Sequence, residues 1–137
     1  MKILAIDFGM KRIGFAVGNP VILTATPLEP LIRKNSKQAV LYIKQLIDEY
    51  EIDHVLMGYP LHMDGARSST TEHVENFTRH LRKALPEEIE IEFVDERLSS
   101  FEAEEQLKGI QPDYRKRKKS LDSMSALILL KRFMEHS

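Results

Sequence analysis

Apolar residues near the start of the chain fall into three short segments whose pattern is typical of β-strands. In the second segment large apolar residues alternate with small or polar ones. The pair Asn19-Pro20 then predicts a turn, so the second and third strands should form a hairpin. The three predicted strands cover residues 2–6, 12–17 and 21–25. Pro27 and Pro30, which follow, predict an irregular or edge segment.

After residue 35 the apolar spacing changes to that of helices, interrupted by two further strands. Val40, Ile43 and Ile47 repeat at helical spacing in the first helix. In the second helix Ser69 and Glu72 have the spacing of a capping box. Helices are predicted to begin at Asn35-Ser36, Ser69, Ser99 and Ser120. Strands are predicted over 54–57 and from Ile89 to an end at Val94-Asp95-Glu96-Arg97, and a loop over 109–119.

This order of elements predicts a single α/β domain over residues 1–137. The first three strands should form an antiparallel meander, because only short turns join them. The two later strands follow helices, so they should add to the sheet in parallel through right-handed crossovers. The predicted architecture is a mixed five-stranded sheet flanked by helices. No internal repeat, low-complexity segment or linker divides the chain.

Composition limits the kind of protein and its environment. With 42% hydrophobic and 30% charged residues, the chain has the composition of a globular protein. It contains no cysteine, which excludes disulfides, thiolate metal sites and thiol nucleophiles. Its apolar runs are too short to span a membrane, and its first residues lack the pattern of a signal peptide. Together these features predict a cytoplasmic protein with no membrane partner.

Acidic residues collect at the ends of the predicted strands. Asp7 follows the first strand, Asp64 lies in the loop after the fourth, and Asp95-Glu96 end the fifth. The carboxyl ends of parallel strands are the usual location of sites in α/β sheets. Asp122, near the start of the last helix, shares a helical face with apolar residues and should point inward. Structural alternatives are a turn role for Asp7 and stabilisation at a helix N-terminus for Asp122.

Such a group of acids predicts a bound divalent metal ion, because clustered carboxylates raise each other's pKa unless cations hold them together. Oxygen ligands without cysteine or paired histidines suit Mg²⁺ or Mn²⁺. Two such ions about 4 Å apart would activate a water and stabilise the leaving oxygen in phosphodiester hydrolysis. The predicted ligands are Asp7, Glu96 and Asp122. Adjacent strand residues face opposite sides, so one of Asp95 and Glu96 should point away.

A run of basic residues precedes Asp122 within the predicted loop. It comprises Arg115, Lys116, Arg117, Lys118 and Lys119. Such runs are more often solvated surface, but a position beside a metal site favours contact with a phosphate backbone. Lys11, Arg12 and Arg97 could add phosphate contacts or form salt bridges with neighbouring carboxylates. Among the histidines, only His62 in the loop after the fourth strand is a candidate for the site.

Four ordered motifs resemble those of the YqgF (RuvX) family of bacterial proteins. They are Asp7-Phe8-Gly9 with Lys11-Arg12-Ile13-Gly14, Gly58-Tyr59-Pro60 with Asp64-Gly65, Asp95-Glu96-Arg97-Leu98-Ser99, and Asp122-Ser123 with Ala126. The resemblance runs nearly end to end and implies a ribonuclease H-like fold, related to that of the RuvC Holliday-junction resolvases. It also implies that Asp7, Glu96 and Asp122 are the metal-binding acids.

One motif departs from the wider superfamily, and it leaves the second metal ligand open. Resolvases and ribonuclease H usually have an acid at the end of the fourth strand, where this chain has Gly58-Tyr59-Pro60. Glu96 is the predicted replacement, with Asp95 and Asp64 in reserve.

The resemblance implies a metal-dependent endonuclease that processes the 5′ end of pre-16S rRNA in ribosome biogenesis. One alternative is a resolvase of four-way DNA junctions, which needs paired active sites and therefore a homodimer. Another is a nucleic-acid-binding module whose acids are structural. A sugar-kinase or actin-like half is disfavoured, because 137 residues leave no room for a second domain that clamps ATP.

Overall fold

The computed structural model describes residues 1–61, 64–95 and 114–135, with side chains from residue 123 onward in the last range. These residues form five strands and three helices. The strands are β1 (Ile3–Phe8), β2 (Arg12–Asn19), β3 (Thr24–Ile32), β4 (His54–Tyr59) and β5 (Glu90–Asp95). The helices are α1 (Ser36–Glu49), α2 (Ser69–Ala84) and α3 (Tyr114–Glu135).

The strands form one mixed sheet in the order β3-β2-β1-β4-β5. Strands β1, β2 and β3 are antiparallel, whereas β1, β4 and β5 are mutually parallel. The predicted five-stranded sheet, with its antiparallel meander and two parallel additions, is therefore confirmed. The central position of β1 follows from its apolar run, because only a strand covered on both faces buries every residue from Ile3 to Ile6.

Alternate residues of the sheet contribute to two separate cores. Leu4, Ile6 and Phe8 face the larger core, which the buried sides of α1 and α2 complete. Ile3 and Ala5 face the smaller core, which is completed by three residues of α3. Those residues are Ala126, Leu127 and Leu130. Because side chains alternate along a strand, each position of β1 is assigned to one helical layer or the other.

Strand ends extend further than the apolar runs alone predict. β1 continues through Asp7 and Phe8, because these residues pair with Gly14 and Ile13 of β2. Asp7 is thus the penultimate residue of a strand and not the residue that follows it. The third strand was predicted too early, since the turn occupies the positions up to Leu23, whose φ is 53°.

The expected edge position of Pro27 and Pro30 is confirmed by their place in β3, which pairs with β2 alone among the described strands. A proline lacks the N–H needed for pairing on both sides, so an edge strand tolerates it. Val21, Ile22 and Leu23 are instead exposed at the hairpin tip. Their apolar character predicted a strand, but none of the strands that the structure describes pairs with them.

Helices α1 and α2 begin where they were predicted to begin, but the capping residues of α2 differ from the prediction. Asn35 caps α1 as predicted, accepting a hydrogen bond of 2.8 Å from the Gln38 amide. The cap of α2 is Ser68, not Ser69, and its capping-box partner is Thr71 in place of Glu72. The Thr71 hydroxyl accepts from the Ser68 amide at 3.0 Å, which is the role that the box normally gives to glutamate.

The last helix begins before the predicted cap at Ser120. It starts at Tyr114, so the predicted loop over 109–119 is wrong for its last six residues. Lysine and arginine are good helix formers, and no glycine or proline interrupts residues 114–135. The helix predicted to begin at Ser99 lies outside the described residues. In the part of the chain that the structure describes, no helix is long and apolar enough to cross a membrane.

Candidate active site at the carboxyl edge of the sheet

The carboxyl ends of the three parallel strands meet at one edge of the sheet, as predicted. Asp7 stands near the end of β1 and is half-buried. The register of the parallel strands continues from Ile6 and Met57 to Gly58 of β4 and Val94 of β5, each one residue before the end of its strand. This edge therefore brings the first and fifth strand ends to either side of the fourth, which is the arrangement that the site prediction requires.

The alternation of side chains separates Asp7 from Asp95. Asp7 belongs to the set of β1 residues that includes Ile3 and Ala5, whose side chains face α3. On β5 the residue facing α3 is Val94, so the exposed Asp95 belongs to the opposite face. The strand geometry thus favours Asp7 over Asp95 as a residue of the α3 face. Glu96 and Arg97 lie outside the described residues.

The direction of α3 is fixed by contacts at both ends. The Ser123 hydroxyl donates a hydrogen bond to the carbonyl of Leu28, which pairs through Phe15 with Ile6 of β1. At the other end the Phe133 ring lies 5.6 Å from the ring of His54, opposite Ile3. The helix therefore runs from the carboxyl edge of β1 back toward its start.

This direction places the backbone of Asp122 at the same edge as Asp7. Position 122 immediately precedes Ser123 and lies one helical turn before Ala126, which is fully buried against the sheet. The predicted inward face of the helix is real at Ala126 and Leu129, both fully buried. The Asp122 side chain lies outside the described residues, as do the side chains of Arg115, Lys116, Arg117, Lys118 and Lys119.

Asp64 occupies an exposed turn in the loop after β4. Its Oδ1 accepts a hydrogen bond of 2.9 Å from the Ala66 amide, and Gly65 between them has a φ of 88°. An aspartate that bonds the amide two residues ahead forms an Asx turn, so this carboxylate has a structural role in the loop. His62, the one histidine predicted as a site candidate, lies outside the described residues.

Arg12, in the strand next to β1, lies on the same face of the sheet as Asp7. Its place on β2 alternates with that of Ile13, which faces the α1–α2 core, so Arg12 faces the α3 side. The Nη1 atom is buried and has no hydrogen-bond partner within the described ranges. A buried guanidinium nitrogen without a partner is costly, so its setting suits an anionic ligand. Lys11 is exposed beside it.

The tight β1–β2 turn that carries these cations depends on Gly9 and Arg33. A Cβ atom at Gly9 would overlap the carbonyl oxygen of Arg12, so only glycine fits there. Arg33 donates to the carbonyl of Met10 at 3.4 Å and to Ser36 Oγ at 3.0 Å. Its guanidinium also lies 5.4 Å from the centre of the Phe8 ring. The sequence motifs predicted the glycine but not the arginine that supports the turn.

A second group that the motifs did not predict surrounds Glu75 on α2. Its Oε2 accepts a hydrogen bond of 2.9 Å from the Tyr59 hydroxyl, and its Oε1 accepts one from Arg67. The hydrogen bond from Arg67, followed by that from Tyr59, lowers the pKa of Glu75 below its ordinary value. The helical periodicity of α2 does not single out Glu75, because its contacts depend on how the helix lies against the end of β4.

Among the residues that the structure describes, no three acidic or histidine side chains form a metal site. Of the predicted ligand set, Asp7 alone has a described side chain. Its half-buried carboxylate offers the oxygen donors that Mg²⁺ and Mn²⁺ prefer. This much fits a divalent ion at the carboxyl edge.

The arrangement of strands and helices is shared with solved Holliday junction resolvases. The fowlpox virus enzyme matches with a TM-score of 0.60 at 15% identity, covering 99% of both chains. Thermus thermophilus RuvC, solved with a Holliday junction substrate, matches with a TM-score of 0.54 at 13% identity, covering 97% of this chain and 96% of that one. At these identities the likeness concerns the fold alone, and it agrees with the predicted ribonuclease H-like fold.

The sequence comparisons identify the family to which the chain belongs. Residues 1–136 match the model of the family described as "RuvX: Holliday junction resolvase". A Koribacter versatilis protein is 38% identical, covering 98% of this chain and 86% of the relative. One from a Sulfurihydrogenibium species is 37% identical, covering 98% and 90% respectively. Both are named "Putative pre-16S rRNA nuclease". The chain belongs to the RuvX family, which confirms the resemblance and the prediction of a nuclease.

Proposed function

We propose that this protein is a metal-dependent endonuclease that cleaves phosphodiester bonds in structured RNA, and that its substrate is the 5′ end of pre-16S rRNA. The observation that carries the proposal is the position of Asp7. Its half-buried carboxylate stands at the carboxyl edge of β1, on the face that α3 covers and at the end where position 122 lies. The names of the RuvX relatives support the choice of RNA.

In this proposal Asp7, Glu96 and Asp122 hold the metal, which would supply an activated water and stabilise the leaving oxygen. Asp7 pairs with Gly14 of β2 and directly follows Ile6, which is paired on both sides, so its backbone is held in the sheet. Rigid placement matters because small displacements of catalytic groups cost large factors in rate. Asp64 and Asp95 are less suited, since one bonds its own loop and the other belongs to the opposite face.

Arg12 is the described residue best suited to hold a substrate phosphate beside Asp7. Its buried Nη1, which has no hydrogen-bond partner among the described residues, would donate a charge-assisted hydrogen bond to a phosphate oxygen. The exposed Lys11 would add a weaker, screened contact, as would Arg97 if it lies near the same edge. These cations would also offset the repulsion between an RNA backbone and the cluster of acids.

The helical start of α3 divides its basic residues into two groups. At 100° per residue, positions 115, 118 and 119 lie within about 60° of position 122 around the helix axis. Positions 116 and 117 lie on the other side of the helix. We therefore assign phosphate binding chiefly to Arg115, Lys118 and Lys119, and a lesser role to Lys116 and Arg117.

The decisive experiment is cleavage of a pre-16S rRNA fragment in the presence of Mn²⁺ by the wild type and by Asp7→Asn. The variant should lose at least 100-fold in rate, on the order of what removal of one essential electrostatic group costs. Asp48→Asn, which changes an exposed acid on α1, is the matched control and should cleave normally. Equal cleavage by the wild type and Asp7→Asn would refute the role of Asp7.

A four-way DNA junction is the second candidate substrate, because the family description itself names Holliday junction resolvases. Symmetric resolution needs two active sites, so this function requires a homodimer. Sedimentation of the protein with and without junction DNA, followed by a cleavage assay, separates the two candidates. Binding of RNA with steep salt dependence but without cutting by any divalent ion would instead indicate a non-catalytic binding module. A pre-rRNA substrate would place the protein in the cytoplasm.

A further inference from the structure

The loop after β4 leaves the sheet between the strand that carries Asp7 and the strand that ends at Asp95. It is fastened at both of its ends. The Thr71 hydroxyl donates a hydrogen bond to the carbonyl of Pro60, and Leu61 forms a β-bridge with Arg67. The described ends of the loop are therefore held together at the carboxyl edge of the sheet, which is the edge that carries the proposed site.

Glu75 joins this loop to the rest of the domain. Its two carboxylate oxygens accept from different elements, since Tyr59 is the last residue of β4 and Arg67 is at the end of the loop. The Tyr59 ring is held in turn by Phe93 of β5, with ring centres 4.8 Å apart. One side chain of α2 thus connects the end of a strand, the loop and a neighbouring strand.

We infer that Glu75 is a positioning residue, which sets the β4–α2 loop at the entrance of the site and so governs productive binding of RNA. The inference rests on the proposed function for its substrate, but the loop geometry itself does not. Glutamate suits the task because both of its oxygens accept, whereas a glutamine could accept from only one of the two donors. The lowered pKa of Glu75 keeps it ionised at neutral pH.

Because Arg67 and Glu75 are partly exposed, their ion pair should affect the loop more than the stability of the whole domain. The side chain of Arg67 is 57% exposed and that of Glu75 is 28% exposed. Ion pairs in such positions contribute little to the stability of the whole fold. Loss of Glu75 should therefore loosen residues 60–68 without unfolding the domain, which makes the inference testable in a folded variant.

The test compares Glu75→Gln with Glu72→Gln, which removes an exposed charge from the same helix. In Glu75→Gln, peptides covering residues 60–68 should exchange amide hydrogens faster than in the wild type. The KM for the pre-rRNA fragment should rise roughly five- to tenfold while kcat changes less than about twofold. Glu72→Gln should match the wild type in both measurements.

Whether Glu75→Gln binds RNA more weakly or more tightly distinguishes a positioning role of Glu75 from the effect of its charge alone. Removing a negative charge near the site would by itself tighten RNA binding, so weaker binding cannot arise from the lost charge. Unchanged exchange in residues 60–68, or tighter binding, would overturn the inference. If Glu75→Gln proves unstable, Tyr59→Phe, which removes one donor and no charge, decides between the same outcomes.

The role of Glu75 can be tested even if the protein does not cleave RNA. If the wild type does not cleave the RNA, hydrogen exchange and the dissociation constant for the same fragment still report on the loop. Faster exchange with weaker RNA binding would then support Glu75 as a positioning residue in a protein that only binds. Faster exchange with unchanged RNA binding would show that the loop does not contribute to the RNA site, and the inference would fall.

Discussion

The hydroxyl of Ser123 in α3 donates a hydrogen bond to the carbonyl oxygen of Leu28 in the edge strand β3. Ser123 is almost fully buried, so this bond connects the helix to the sheet within the interior. It also fixes the rotation of the helix at the residue that follows Asp122. The position of Asp122, a proposed metal ligand, therefore depends on a hydrogen bond from its neighbour to an edge strand that β2 separates from β1.

Replacing Ser123 with alanine should destabilise the protein by about 1–2 kcal/mol, because the Leu28 carbonyl would lose its buried donor. Urea unfolding measures this change. Thr70→Ala, at an exposed position of α2, should stay within about 0.5 kcal/mol of the wild type. Equal stability of Ser123→Ala and the wild type would show that the bond contributes nothing to the fold.

Metal binding can be tested without an activity assay. A ligand present at 100 times its dissociation constant stabilises the folded state by about 2.7 kcal/mol. Saturating Mn²⁺ should therefore raise the melting temperature of the wild type measurably, and this rise should be absent in Asp7→Asn. An equal rise in both proteins would place the bound ion away from Asp7.

The two groups of basic residues in α3 should differ in their effect on RNA binding. Replacing Arg115 and Lys118 with alanine should weaken binding and lower the slope of log K against log salt by about one for each phosphate that the variant no longer binds. Replacing Lys116 and Arg117, which removes the same charge from the other side of the helix, should change the slope less. Equal slopes for the two double variants would contradict the assignment of helical faces.

The contribution of Glu75 to stability should depend on pH. Its pKa is lowered in the folded protein, so its interactions with Arg67 and Tyr59 are fully present above the ordinary value of 4.5. They should be lost as the pH falls through the lower folded value, where the carboxylate takes up a proton. The difference in unfolding free energy between the wild type and Glu75→Gln should thus be constant near neutrality and shrink in acid. A difference that grows in acid would contradict the lowered pKa.

Gly9 should be intolerant of substitution. Its Cβ would overlap the carbonyl oxygen of Arg12, and backbone atoms cannot move aside without opening the β1–β2 turn. Gly9→Ala should therefore cost about 1–3 kcal/mol in unfolding free energy, as overpacking typically does. Gly65→Ala, also at a strained position but in an exposed loop, provides a comparison that should leave the sheet intact.

Much of the fold was predictable because each strand carries its own pattern. The alternation in β2 and the apolar run of β4 indicated the order and direction of the strands, and the apolar run before Asp7 indicated the first strand. The prediction of a strand at Val21 to Leu23 was wrong, because apolar character does not show whether a neighbouring strand is present. The start of α3 was missed because a run of charges was interpreted as a loop, although its residues are good helix formers.

The candidate site was only partly predictable for a different reason. Sequence alternation could place Asp7 and Asp95 on opposite faces once their strands were paired. The link between Glu75, Tyr59 and Arg67 depends on how α2 lies against the end of β4, and no periodicity within either element encodes that contact. Side-chain networks of this kind emerge only when separate elements are assembled.

The continuity of α3 has a mechanical consequence. The helix spans 22 residues, or about 33 Å, and roughly 13 Å of it precedes Ser123, where its described packing on the sheet begins. The basic positions and Asp122 all belong to that leading segment. RNA bound to these leading turns would therefore act on a helical segment that is attached to the sheet at Ser123. The basic positions and position 122 would then move together, so RNA binding to the basic residues would also shift the proposed metal ligand.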